Sequence, residues 1–149
     1  MSTDIYGCIE VRNPCADEDW YEWAPWHHAM DLYPLYSDQN YAAFACLFGV
    51  RNSAGWDPLA AGRGLPADVS PEMKEEFDKA RGIDPAVHSP TWVTWAELDR
   101  LDMDAAPAGG RDVRDAVGPG TGWEHVFAVM RALAGRFGGD GVRLVAYFD

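Results

Sequence analysis

"VRLVAYFD", residues 142–149, decides the fold. Val142, Leu144, Ala146 and Phe148 fall on one side of an extended chain, a period of two that predicts a strand. "GGDG", residues 138–141, ends a helix and turns the chain into it. "DIYGCIEVR", residues 4–12, carries the same alternation: Ile5, Ile9 and Val11 point one way, Tyr6, Cys8, Glu10 and Arg12 the other. Strands at both ends with helical segments between them predict an α+β domain. The two strands should neighbour each other in a small, mostly antiparallel sheet, packed on one face by about four helices.

The helices are read from their periods and their ends. Residues 39–49 are alanine-rich, with Tyr41, Phe44, Leu47 and Phe48 at helical spacing, Ser37 or Asp38 as cap and Gly49 as stop. In "SPEMKEEFDKARG", residues 70–82, Ser70 caps, Pro71 takes the first position and Gly82 stops; Met73, Phe77 and Ala80 make a narrow apolar stripe. Thr94 and Glu97 form a capping box for a short helix over 94–101. A second box, Thr121 with Glu124, opens a helix over 121–137. That helix is the expected core element, because Trp123, Val126, Phe127, Met130, Leu133 and Phe137 share a face. Residues 13–40 hold Pro14, Pro25, Pro34, Trp20, Trp23 and Trp26, and read as a second short strand or an irregular aromatic layer. "DAAPAGGRDVRDAVGPG", residues 104–120, reads as an exposed, mobile loop.

The 149 residues fit a single globular domain, 1–149, and 48% apolar content suffices for a core. A net charge of -12 argues against direct contact with nucleic acid and with anionic membranes. The converse, an acidic mimic of DNA, expects long runs of acids; here the acids interleave with aromatics and glycines. No apolar run approaches the ~20 residues of a membrane span. Cys8, Cys15 and Cys46 are odd in number, lack C-x-x-C spacing and follow no signal-peptide pattern. The expectation is a cytoplasmic protein without disulfide, structural zinc or cofactor.

"MSTDIYGCIEVR", "FGVRN", "RGLPADVS", "HSPTWVTWAEL" and "RLVAYFD" together resemble a family of small uncharacterised bacterial and phage proteins. That family opens M-x-x-D-I-H, has R-G-L-P and H-S-x-S-W segments, and ends on a strand with an F-D tail. The resemblance implies no catalytic residues. Its D-x-H and H-x-H spacings would suit a metal, but this chain has Tyr6 two residues after Asp4 and Pro90 two after His88, so half the ligand set is replaced.

The candidate site centres on "GVRNSAGWDPLAAGRGLPADVSP", residues 49–71, a long loop with four glycines and three prolines. Loops of this length inside a compact domain are functional or disordered. Arg51 and Arg63 could clamp a carboxylate or phosphate, with Gly62 and Gly64 letting backbone amides approach it. Asn52, Ser89 and Trp92 would complete a ligand-binding set. His88 or Asp4 would be the acid or base if the pocket were catalytic. The alternative for both arginines is to pin the loop to the acidic body. His27, His28 and Asp31 fall short of a metal set, although His28 and Asp31 could share a helical face. Trp20, Tyr21, Trp23, Trp26 and Tyr33 make core and rim, or wall a pocket for a flat ring.

Three functions follow. The first is binding of a small, nucleotide-like anionic molecule through an Arg/His/aromatic pocket. The second is cofactor-independent catalysis in that pocket by His88 or Asp4. The third is an acidic, phage-type interaction or inhibitor protein with a protein partner.

Overall fold

The computed structural model describes residues 2–107 and 110–149. Strands β1 (Ile5–Arg12), β2 (Trp26–Asp31), β3 (His88–Thr94) and β4 (Val142–Phe148) form one antiparallel sheet in the order β2-β1-β4-β3. The first and last strands are therefore its central pair. Their closeness is set at Gly7, where an added Cβ would lie 2.0 Å from the Val145 carbonyl oxygen.

Among the described residues five α-helices join the sheet: α1 (Tyr41–Phe48), α2 (Pro71–Ile83), α3 (Trp95–Asp99), α4 (Val113–Val117) and α5 (Trp123–Phe137). Ile5, Ile9 and Val11 of β1 and Val142, Leu144, Ala146 and Phe148 of β4 pack into one cluster with α1, α4 and α5. The helices are not confined to that face. Met73 and Phe77 of α2 cover the other, packing with Cys8, Val145 and Tyr147. These three make the second face too apolar to leave to water.

Several local expectations shift. Asn40, rather than Ser37 or Asp38, caps α1, its Oδ1 accepting from the Ala43 N–H at 3.1 Å, and Gly49 closes the helix at φ 68°. Gly122 is the N-cap of α5, and Glu124 accepts from the backbone N–H groups of Gly120 and Gly122 in place of a box with Thr121. Trp123, Val126, Phe127 and Met130 are buried in α5, while Leu133 and Phe137 are half-buried.

The expected loop 104–120 contains α4, started by an Asp112–Asp115 capping box, with Val113, Ala116 and Val117 buried. A helix this short shows too few apolar residues for a period to emerge; Ala108 and Gly109 of the segment lie outside the described residues. Residues 88–94 form β3, a strand that the sequence reading did not expect. It is an edge strand, where a proline is tolerated, and its pairing is irregular between His88 and Thr91 around Pro90. Among the described residues no helix is long and apolar enough to cross a membrane.

Candidate functional site

The long loop is tied down at Arg63. Gly62 and Gly64, at φ 65° and 77°, bend the chain so that the Gly64 N–H donates to the Pro90 carbonyl at 2.9 Å. The Arg63 guanidinium then reaches α3. It donates to both carboxylate oxygens of Glu97, at 2.8 and 2.6 Å, and to the carbonyls of Trp92 and Leu59, at 3.2 and 3.1 Å. It also lies 4.9 Å from the centre of a Trp92 ring. Glu97 Oε1 additionally accepts the Thr94 N–H at 3.1 Å, so one carboxylate closes both the helix end and the arginine. Arg63 holds this carboxyl below the usual range, and Glu97 in turn raises the arginine.

Arg63 and Trp92 border an open cleft of about 440 Å³ on the α2 face of the sheet, together with Arg12, Trp26, Asp68, Asp140 and Arg143. Its floor is a buried ion pair. Arg143 Nε donates to Glu10 Oε1 at 2.7 Å, and its Nη1 to Asp68 Oδ1 at 3.0 Å. Glu10 Oε2 accepts the Ser70 N–H at 2.8 Å. Trp26 Nε1 donates to Asp68 at 3.1 Å, and the Arg143 guanidinium lies 3.8 Å from the Trp26 ring centre. Arg12 donates to Asp17 at 2.7 Å and approaches Asp68 at 3.9 Å. Arg12, Arg63 and Arg143 thus face Glu10, Asp17, Asp68 and Glu97, with Asp140 also lining the cleft. An incoming anion meets guanidinium groups whose charge is already balanced by carboxylates.

The other expected residues lie elsewhere. Arg51, at φ 55°, donates to Thr3 Oγ1 at 2.9 Å and sits 4.3 Å from the Tyr41 ring centre. Asn52 folds the loop on itself, bonding the carbonyl and the N–H of Trp56 with its two amide ends, each at 2.8 Å. His88 Nδ1 and Ser89 Oγ are 2.7 Å apart, with Ser89 at φ 56°. Asp4 accepts from Gln39 at 2.6 Å. Ile5 and His88 both pair with Phe148, so Asp4 and His88 flank the same end of β4, two strand spacings or roughly 10 Å apart. The cleft lies toward the other end, where Thr94 pairs with Arg143. Arg63 is therefore separated from Asp4 and His88, while Arg51 is bonded to Thr3, the neighbour of Asp4.

Sequence reading missed Arg12, Asp68 and Arg143, while Trp26, named among the aromatics that could wall a pocket, does line the cleft. A signal existed for one contact: Glu10 and Arg143 sit at matching positions once the end strands pair antiparallel, and opposite charges favour that register. His28 and Asp31 share a strand, not a helix, and are joined at 2.7 Å. Among the described residues no cluster of His, Cys, Asp and Glu has the makings of a metal site. Cys8 and Cys46 are buried free thiols, and burial pushes Cys46 up to about 11, away from nucleophile chemistry.

A second surface feature is the loop 13–25. The Asn13 N–H to Pro25 carbonyl bond at 2.8 Å closes it, and turns Asn13–Ala16, Cys15–Glu18 and Glu18–Tyr21 stiffen it. Tyr21 anchors it, its hydroxyl donating to the Ala24 carbonyl at 2.6 Å and its ring meeting Trp20 and Trp23 edge-on at 6.2 and 5.5 Å. Trp20 and Trp23 are left 60% and 65% exposed, beside the exposed acids Asp17, Glu18, Asp19 and Glu22.

No family model, curated protein or solved structure matches this chain.

Proposed function

We propose that this protein is an acidic interaction module that docks its Trp20–Trp23 loop on a basic protein partner. The observation that carries the reading is the exposure of two large indoles on a loop stiffened by its own backbone bonds. Tryptophan is enriched among the residues that dominate interface energies. A loop already ordered loses little entropy on docking. The acids beside the indoles, and the net charge of -12, select a partner with an apolar groove rimmed by Lys and Arg and speed their encounter. Arg63, bound to Glu97, serves in this reading as a brace for the long loop.

The test compares wild type with Trp20→Ala/Trp23→Ala. Proteins captured from lysate of the source cells are identified, purified and titrated singly by calorimetry. The expected result is a basic partner whose affinity falls as salt rises and drops about 100-fold in the double variant. Purified candidates that bind neither protein, or bind both equally, overturn the reading.

The cleft beside Arg63 favours a second reading, an anionic small molecule held by guanidinium groups and indoles. Such a ligand would have to displace Glu97 or Asp68. Calorimetry with nucleotides and phosphorylated or carboxylated metabolites decides it; no heat from any of them at millimolar concentration ends it.

A further inference from the structure

At the other end of the α2 face, the sheet brings aromatic rings together in an acidic setting. Tyr6 of β1 pairs with Tyr147 of β4, and their rings stack at 5.4 Å and 25°. Glu76 of α2 leans over them, its Oε2 accepting the Tyr147 hydroxyl at 3.0 Å; among the described residues Oε1 has no donor. Tyr33, 72% exposed, stands at the rim, and Asp31 at the end of β2 completes the wall. The hollow between them is about 220 Å³. That is below the roughly 300 Å³ at which pockets begin to take drug-sized ligands.

The charged residues that line the hollow, Asp31 and Glu76, are both acidic. Burial first, then Asp149, Asp4 and Asp84, push Tyr6 up to about 12. Burial and Glu76 push Tyr147 up as well. Burial raises Glu76, Asp31 adds to the shift, and His28, itself bonded to Asp31, opposes it. Among the residues that line the hollow no cation faces this half-buried carboxylate, and an ammonium group satisfies it and the tyrosine rings at once.

We infer that the hollow bounded by Tyr6, Tyr33, Tyr147, Asp31 and Glu76 binds an alkylammonium group. The exposed rings of Tyr6 and Tyr33 take its methyl or methylene shell, and Glu76 is its counter-ion. The group can come from a free amine or from a lysine side chain. This site is independent of the docking loop, which lies at the opposite end of β2.

The test is NMR titration of the full chain with choline, with a short peptide carrying one trimethyllysine, with 3,3-dimethylbutanol as choline's neutral isostere, and with sodium chloride at matched ionic strength. Saturable shifts of the Gly7 amide and the Tyr6 and Tyr33 rings are expected with choline or the peptide, and none with the isostere. Tighter binding of choline marks a free amine as the source, and tighter binding of the peptide a lysine side chain. Tyr33→Ala removes an exposed ring and Glu76→Gln keeps the shape, so both variants should fold; each should weaken binding about tenfold. Trp20→Ala/Trp23→Ala should bind as wild type. Equal shifts from the isostere, no saturable shift from either cation, or unchanged affinity in both Tyr33→Ala and Glu76→Gln overturn the site.

Discussion

Arg143 and Glu10 face each other across the central strand pair, bonded at 2.7 Å and almost wholly buried. Removing one member of such a pair strands the other in low dielectric. Arg143→Met should therefore cost about 3–5 kcal/mol in chemical denaturation. Glu10→Leu/Arg143→Met should cost less than the two single substitutions added together. Additive losses would show that the pair is not coupled.

Phe127 is buried on α5 and contacts the rings of Trp95 and Trp123. Phe127→Ala should cost about 3–5 kcal/mol. Leu133→Ala, further along the helix and half-buried, should cost clearly less. A loss below about 1 kcal/mol at Phe127 would contradict its place in the core.

The Arg63–Glu97 pair carries a pH signature. The Glu97 carboxyl is lowered in the folded chain, chiefly by its bond from Arg63. Its contribution is fully present above the unfolded value of about 4.3 and is lost as pH falls through the lowered folded value. Wild type should melt above Glu97→Gln at pH 7, and the gap should shrink steadily below about pH 4. At neutral pH the substitution should cost about 1–3 kcal/mol. A gap independent of pH would remove the carboxylate from the account.

Trp20 and Trp23 stand exposed among acids, whereas Trp26, Trp56, Trp95 and Trp123 are buried. Relative to their quenching of free N-acetyltryptophanamide, cesium ions should quench the indole fluorescence more strongly than iodide at equal ionic strength, because the local field gathers cations. Trp20→Ala/Trp23→Ala should lose most of the quenchable component. Stronger quenching by iodide would deny the loop its acidic surroundings.

The alternation in 4–12 and 142–149 made the sheet legible, since a period of two survives in eight residues when one face is a core. The same alternation held Cys8, Val145 and Tyr147 on the second face, yet a strand cannot announce which helix covers it. The α2 stripe of Met73 and Phe77 was visible, and only the fold says which face of the sheet it covers. β3 was hidden because Pro90 and the left-handed Ser89 interrupt its pattern. Arg63 was legible as an arginine with a purpose. Its partner was also in plain sight as the Glu97 of a capping box, but nothing local tells a carboxylate that it must serve two donors. The cleft's other residues come from β1, β2, the long loop and β4, and tertiary pairing alone assembles them.

Placing β1 beside β4 has a cost during synthesis. Glu10 and Arg143 are 133 residues apart, so the central ladder is the contact that closes the largest loop of chain. A topology dominated by such distant pairing folds slowly. β1 leaves the ribosome long before its partner exists, presenting Cys8 on one side and Ile9 and Val11 on the other, with an unpaired backbone. Through that interval the strand is open to the wrong neighbour. Early pairing with β2, the next segment made, offers it a first shelter.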